Sequence, residues 1–166
     1  MNRKTVMLPG TFDPPTLGHL DIIERCAALY DKMYVVIADN ITKKTLFTAQ
    51  ECKAMLQNIL SEHKNIEVEI WSGLVVDFAK KFDVGVIVRG VRAMNDFGYE
   101  LELAMTYKQM LPEVEVLFIP TNPKYFLIRS SSIKEMAIFG ADISKMVPES
   151  VLKAVNEKVN TSKVLT

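Results

Sequence analysis

Residues 8 to 23, LPGTFDPPTLGHLDII, place glycines, prolines and one histidine between an apolar stretch and an amphipathic stretch. Glycine permits unusual backbone dihedral angles and close ligand approach, whereas proline fixes φ and removes an amide donor. Unpaired N–H groups and aligned peptide dipoles at a helix start attract anions. The stretch therefore predicts a phosphate-binding loop, with His19 in the first helical turn facing the same anion. A structural turn, with His19 as a cap or packing residue, is the alternative.

Cationic side chains follow two other apolar segments, at positions where strands are expected to end. Lys43 and Lys44 come after the second segment, and Arg89 and Arg92 flank Gly90 after the fourth. Two arginines beside a glycine suit recognition of phosphate or base, because the guanidinium group donates parallel hydrogen bonds. The two lysines are consistent either with a site or with solvated loop charges.

A third group of polar residues lies in YFLIRSSSIKE, residues 125 to 135. Its serine hydroxyls and helix-start amides could bind the outer phosphates of a nucleotide, with Arg129 or Lys134 adding charge. Tyr125 could pack beside a base. Any single serine here is readily explained as a helix N-cap, whereas three together offer more hydroxyls to a ligand.

The composition bounds the classes of protein to which the chain can belong. It has 166 residues, 49% of them hydrophobic, with 20 acidic and 20 basic side chains. We expect one domain over residues 1–166, with a C-terminal helix and a short tail from about residue 148. Balanced charge argues against nucleic acid as a partner. Cys26 and Cys52 lack ligand-like spacing and His63 lies in a polar segment, so no transition metal held by the protein is expected.

The same composition gives no indication of a membrane partner. The N-terminal apolar stretch is too short for a signal peptide, and no stretch of about 18 apolar residues occurs. We therefore expect a cytoplasmic protein.

Strand-like and helix-like segments alternate along the chain. Short β-branched segments predict five strands, at residues 5–9, 33–38, 66–70, 84–88 and 114–119. Apolar residues at helical spacing predict helices at residues 20–30, 49–63, 75–82 and 96–111 and after Pro148. Thr48 and Glu51 form a capping-box pattern at the second helix. The alternation predicts an α/β fold, a parallel sheet with helices on both faces and ligands at the carboxyl ends of its strands.

Three motifs, PGTFDPPTLGH, RGVRAMNDFGYELELA and SSSIKE, resemble the nucleotidyltransferase family that contains bacterial phosphopantetheine adenylyltransferase. The resemblance covers nearly the whole chain. The superfamily loop is usually His-x-Gly-His, and Thr16 in the first position resembles the phosphopantetheine branch, as does Arg-Gly-x-Arg followed by Asp-Phe-x-Tyr-Glu. Three positions depart from the family. Arg129 stands where the family usually has the first serine of a triplet, and Gly98 replaces a glutamate. Tyr107 replaces an asparagine that commonly touches pantetheine.

The resemblance implies a Rossmann-like, doubly wound fold and a reaction. The adenylyl group of ATP passes to 4′-phosphopantetheine, giving dephospho-coenzyme A and pyrophosphate, the penultimate step of coenzyme A synthesis. The resemblance also implies a Mg²⁺ requirement, with the ion held mainly by substrate phosphates. It further implies a homohexamer, with coenzyme A as a candidate feedback ligand.

Matching positions assign the site residues. His19, as transition-state stabiliser, Lys43 and Arg92 are the catalytic candidates. The resemblance places 4′-phosphopantetheine against Thr11, Lys43, Leu74, Val75 and Arg89. It places ATP against Thr11, Phe12, His19, Gly90, Val91, Arg92, Glu100, Tyr125, Phe126, Leu127, Ile128, Arg129, Ser130 and Ser131.

The chemistry of such a transfer matches these residue types. The attacking phosphate monoester has a second pKa of about 6 and is largely ionised at neutral pH, so no strong general base is needed. Catalysis would come from aligning two anions and neutralising charge on the α-phosphate and on pyrophosphate, without a covalent enzyme intermediate. Two alternatives stay open: a nicotinate-mononucleotide adenylyltransferase or other member of the superfamily, and a non-catalytic nucleotide-binding module.

Overall fold

Five segments rich in β-branched residues form the central sheet. The structure, a computed structural model, describes residues 1–39 and 44–164. All four strand pairings are parallel, in the order β3-β2-β1-β4-β5, so the parallel sheet predicted from the sequence is confirmed. The strands are β1 (Asn2–Gly10), β2 (Lys32–Ala38), β3 (Ile66–Trp71), β4 (Val84–Val91) and β5 (Glu115–Pro120).

Amphipathic segments form the helices that alternate with these strands. The helices are α1 (Leu17–Ala27), α2 (Ala49–Ile59), α3 (Val75–Lys81), α4 (Met94–Met110), α5 (Ser130–Ile138) and α6 (Glu149–Val164), with a short 3₁₀ helix at Pro123–Tyr125. The capping box predicted for α2 is present, with the Thr48 hydroxyl accepting from the Glu51 amide at 3.2 Å. No helix in the described part of the chain could span a membrane.

Two predicted helices are too long at their C-terminal ends. The first ends at Ala27 instead of residue 30, because the amides of Leu29 and Tyr30 both turn back onto the carbonyl of Cys26. Leu29 is therefore 76% exposed, although its spacing resembles that of a core residue. The second helix ends at Ile59 instead of residue 63, and the chain turns there toward β3.

Alternating side chains of the strands supply two apolar layers. Val6 and Leu8 of β1 pack with α1, α2, α5 and α6, whereas Met7 points to the opposite face and packs with α3 and α4. Helices cover both faces of the sheet, which confirms the doubly wound α/β fold. Side chains of a strand alternate between the two faces of the sheet, and helices cover both faces. A buried central strand must therefore carry apolar side chains on both of its faces.

The strand order changes direction between β1 and β4, which lie side by side at the centre. The chain runs outward from β1 through β2 to β3, then crosses to β4 and continues to β5. In open α/β sheets, such a switch point leaves a crevice at the carboxyl ends of the strands. Gly10 ends β1 here, and Arg89 and Gly90 lie at the corresponding end of β4.

Gly98 and Gly140 both have room for a larger side chain, but only Gly140 has a positive φ, so substituting them compares two backbone conformations. Gly98 lies exposed within α4, and Gly140 follows α5 with a φ of 77°; a methyl group at either position meets nothing within 4 Å. We predict that Gly98→Ala raises the free energy of unfolding by about 0.5–1 kcal/mol. Gly140→Ala should lower it by about 1–2 kcal/mol, since L-residues avoid positive φ. Denaturant unfolding of both variants tests this, and a destabilised Gly98→Ala would contradict it.

Candidate active site

A cleft of about 430 Å³ lies at the switch point, where four segments of the chain converge. The residues predicted for the site that line it are Thr11, Phe12, His19, Arg89, Gly90, Arg92, Glu100, Ile128, Arg129, Ser130 and Ser131. These residues come from the β1–α1 loop, the end of β4, the face of α4 and the start of α5. The fold thus brings together side chains that are far apart in the sequence.

The loop between β1 and α1 is held in a defined shape by its own hydrogen bonds. Phe12 has a φ of 50°, and its buried ring meets the imidazole of His19 edge-on, with the ring centroids 5.0 Å apart. Thr16 is the N-cap of α1: its hydroxyl accepts from the amide of His19 at 3.2 Å. In return, the amide of Thr16 donates to Nδ1 of His19 at 3.1 Å. His19 is thus a helix cap and a cleft residue at once.

The hydrogen bond to Nδ1 determines how His19 can act. Burial, and then the nearby charge of Arg92, lower the pKa of His19 from 6.5 to about 4, so the ring is neutral near pH 7. A neutral imidazole carries one proton, and a ring nitrogen that accepts a hydrogen bond leaves that proton on the other nitrogen. His19 therefore offers an Nε2–H donor without a positive charge.

Arg89 and Glu100 form an ion pair across the cleft floor. Two guanidinium nitrogens of Arg89, Nε and Nη2, donate to the two carboxylate oxygens of Glu100, the Nη2 contact being 3.0 Å. Its remaining terminal nitrogen donates to the carbonyl of Pro9 at 3.2 Å. Such parallel contacts fix the guanidinium plane. The end of β4 is therefore joined rigidly to α4 and to the end of β1.

Arg92 connects the β4–α4 turn to the segment that precedes α5. Its Nε donates to Asp96 at 3.0 Å, and its Nη1 donates to the carbonyl of Ile128 at 2.9 Å. The guanidinium thus supports the residues that lead into the start of α5. A carboxylate partner balances its charge, as Glu100 does for Arg89.

The start of α5 forms the wall of the cleft opposite α1. Arg129 is the N-cap residue and has an exposed side chain, while the hydroxyl of Ser130 donates to the carbonyl of Pro14 at 3.0 Å. Lys134 was the other candidate to add charge at this helix start, and in the structure its ammonium group contacts Asp13 at 2.6 Å. Backbone amides at the helix start and the exposed Arg129 can attract an anion there.

Other predicted site residues lie beside the cleft or away from it. Val91, Tyr125, Phe126 and Leu127 are neighbours of lining residues in the sequence but do not line the cleft. Leu74 and Val75 lie at the start of α3, after β3. Lys43 lies outside the described residues.

Further residues line the cleft but were not assigned individually as site residues: Leu8, Pro9, Gly10, Thr16, Gly18, Ile22 and Thr121. All of them except Thr121 lie in residues 8–23, the stretch that was predicted to bind phosphate. Thr16 and His19 have the three-residue spacing of a capping box, which is a signal that the sequence carries. Gly18 stands within the same motif. Thr121 follows β5 directly, and its amide donates to the carbonyl of Val91 at 2.9 Å. No local sequence pattern predicts this contact between the ends of two strands.

The carboxylates of Glu100 and Asp96, at the cleft, form ion pairs with arginines. Glu100 pairs with Arg89, and Asp96 pairs with Arg92. Among the residues that the structure describes, no three His, Cys, Asp or Glu side chains come together as a group that could hold a metal ion.

Solved structures share this architecture. A Vibrio parahaemolyticus protein, proposed to be a nicotinate-nucleotide adenylyltransferase, superimposes with a TM-score of 0.68 over 91% of this chain and 97% of its own. A lipopolysaccharide core biosynthesis protein from Thermoplasma volcanium superimposes with a TM-score of 0.54 over 71% of this chain and 97% of its own. At 16% and 23% sequence identity, these matches show the fold alone.

Sequence relatives specify the family. The cytidylyltransferase-like family model matches residues 7–136. The phosphopantetheine adenylyltransferase of Alkaliphilus metalliredigens is 43% identical over 93% of this chain and 99% of the relative. Those of Dictyoglomus turgidum and Streptomyces coelicolor are 45% and 44% identical, over 90% and 94% of this chain and 94% and 98% of the relatives. The chain therefore belongs to the phosphopantetheine adenylyltransferase family.

Proposed function

We propose that the chain transfers the adenylyl group of ATP to 4′-phosphopantetheine, giving dephospho-coenzyme A and pyrophosphate in the synthesis of coenzyme A. The observation that carries this proposal is one cleft that receives the starts of two helices, α1 and α5, together with His19, Arg89 and Arg92. Helix starts attract phosphate through unpaired amides and the helix dipole. The family membership supports the identity of the substrates.

ATP would occupy the cleft at the switch point. We place its outer phosphates at the start of α5, near Ser130 and Ser131, with the exposed Arg129 adding charge. We place the α-phosphate against α1 and His19, and the base toward the β5–α5 connection. We also propose that ATP contacts the end of β4 and residues 125–128, as the sequence predicted.

The second substrate would approach from the neighbouring edge of the sheet. A second cleft of about 390 Å³ lies beside the first and includes Ala38, Thr45 and Phe47. Thr11 lines both clefts, which supports its predicted contact with both substrates. Lys43, Leu74, Val75 and Arg89 remain the other proposed contacts of 4′-phosphopantetheine.

The reaction itself is a single displacement at phosphorus. An ionised phosphate oxygen of 4′-phosphopantetheine forms a bond to the α-phosphorus of ATP, and the bond to the bridging oxygen of pyrophosphate breaks. Negative charge shifts onto the α-phosphate oxygens and the leaving pyrophosphate. The Nε2–H of His19 and the guanidinium of Arg92 would stabilise that charge, since preorganised donors gain strength as charge develops. No residue of the chain becomes bonded to substrate.

Mg²⁺ would enter bound to the phosphates of ATP, where it offsets charge between the two substrates. The paired state of Glu100 and Asp96 supports this arrangement, because neither carboxylate is left to bind a cation without breaking its contact to an arginine. Mg²⁺ commonly keeps several waters and binds substrate phosphates in this way.

Assembly, feedback and location extend the proposal. We propose a homohexamer, supported by apolar side chains exposed on α4 and β5, including Leu101, Met105 and Leu117, which an assembly would bury. Coenzyme A is proposed as a feedback ligand because it contains the product. A cytoplasmic site of action is expected from the same biosynthetic role.

A pyrophosphate-release assay tests the function directly. With ATP and Mg²⁺, we predict release that depends on 4′-phosphopantetheine and yields one dephospho-coenzyme A for each pyrophosphate. Nicotinate mononucleotide at the same concentration should give no release above the ATP-only control. Release with nicotinate mononucleotide instead would favour the other branch of the superfamily, and ATP binding without release would favour a binding module.

His19 provides a prediction about the chemical step. His19→Ala should still bind ATP, yet kcat should fall roughly 10²–10³-fold, because the lost donor acts on charge that develops in the transition state. The same variant loses one capping contact, at a cost of about 1 kcal/mol. Calorimetry with ATP, thermal unfolding and steady-state kinetics on one preparation separate these effects.

Glu51→Ala is the matched control for the loss of a cap. Glu51 occupies in α2 the capping-box position that His19 occupies in α1, and its carboxylate accepts from the Thr48 amide at 2.7 Å. The control should lose stability while keeping kcat. If His19→Ala behaves like Glu51→Ala, with lowered stability and near-normal turnover, His19 is only a cap and the catalytic role is wrong.

A further inference from the structure

Asp13 is a buried carboxylate to which the proposed reaction assigns no role. It comes directly after Thr11 and Phe12, which line the ATP cleft, but its own side chain is only 5% exposed. A charge removed from water is costly unless hydrogen bonds and an opposite charge replace its hydration. The contacts of Asp13 therefore show which parts of the structure it holds in place.

The two oxygens of Asp13 bind two distant segments. Both accept from the amide of Leu46, at 3.1 and 3.0 Å, and Oδ1 also accepts from the amide of Phe47 at 2.9 Å. Oδ2 accepts from the ammonium of Lys134 in α5 at 2.6 Å. The carboxylate thus joins the β1–α1 loop to the residues that precede α2 and to α5.

These segments form parts of both clefts. Phe47 lines the second cleft, and α5 contributes its first residues, including Ser130, to the first cleft. Ser130 also donates to Pro14, the neighbour of Asp13, so α5 contacts this loop twice. Thr11, two residues before Asp13, lines both clefts. Asp13 therefore stands behind the boundary at which the clefts meet.

We propose that Asp13 is a positioning residue that fixes the two clefts relative to each other and thereby aligns the attacking phosphate with the α-phosphate of ATP. The inference rests on the proposed function, because it assumes that the two clefts hold the two substrates. Alignment of this kind acts on turnover more than on affinity: a displacement of about 1 Å between reacting groups can cost roughly 100-fold in rate. Each cleft alone should remain able to bind its own ligand.

Asp13→Asn is the first test, because it keeps the size of the side chain and removes its charge. An amide has a single acceptor oxygen, so its NH₂ group would face Lys134 or a backbone donor of Leu46 or Phe47. We expect kcat to fall roughly 100-fold. Dissociation constants for ATP and for 4′-phosphopantetheine, each measured alone by calorimetry, should change far less than kcat, because each cleft keeps its own lining.

Two substitutions of Lys134 keep the test decisive if Asp13→Asn does not fold. Lys134→Met removes the ammonium but keeps the aliphatic side chain, and should lower kcat with little change in either dissociation constant. Lys134→Arg retains a cation within reach of Asp13 and should restore most of the turnover. A role in stability alone would lower the melting temperature of Lys134→Met and leave kcat per folded molecule unchanged.

Glu69→Gln is the matched control outside both clefts. Its carboxylate contacts the ammonium of Lys53 at 3.1 Å and joins β3 to α2, so the variant also breaks a lysine–carboxylate contact between elements. The control should keep both kcat and the two dissociation constants. A similar fall in kcat for Glu69→Gln would show that any such contact matters and would overturn the specific role of Asp13.

Wild-type turnover separates this inference from the function on which it rests. If wild-type protein releases no pyrophosphate with 4′-phosphopantetheine, the proposed function fails. If wild-type protein is active and folded Asp13→Asn or Lys134→Met retains wild-type kcat, only the positioning role is wrong. Loss of ATP affinity as large as the loss of kcat would also overturn it, since Asp13 would then support ATP binding and not alignment.

Discussion

The parallel pairing of β1 with β4 is the constraint on which the site depends. It sets the ends of these strands side by side at the place where the strand order changes direction, so their connections diverge and leave a crevice. At Gly90 the two elements pack closely: a Cβ there would lie 2.5 Å from Cδ1 of Ile22 in α1, so the Ile22 side chain would have to shift. The helix that carries His19 can therefore approach the end of β4, where Arg89 and Arg92 lie.

Charge around this crevice is balanced in pairs. Asp13 pairs with Lys134, Glu100 with Arg89 and Asp96 with Arg92. The pairs hold the cationic groups in fixed positions, and under the proposed function the helix dipoles at the starts of α1 and α5 attract the phosphates. Under the proposed function, a chain with a formal net charge of zero would bind its two anionic substrates through local groups and not through its overall charge.

Local patterns in the sequence identified the sheet, the helices and the glycine-rich loop, because burial on a strand or helix leaves a periodic signature. The ends of helices were harder to predict from the sequence. Leu29, for example, has helical spacing, but the backbone has already left the helix before it. The contact of Asp13 with Lys134 joins positions 121 residues apart, and no local pattern encodes such a pair. The neutral state of His19 likewise depends on burial and on Arg92, which only the folded chain brings together.

The central claim is that the site aligns two phosphates for one direct displacement. A direct attack inverts the configuration at the α-phosphorus, whereas a covalent enzyme intermediate inverts it twice and restores it. The decisive measurement uses one diastereomer of adenosine 5′-O-(1-thiotriphosphate) with 4′-phosphopantetheine, followed by assignment of the configuration at the thiophosphate of the product. The account predicts inversion. Retention would contradict it and would require a residue of the chain to carry the adenylyl group.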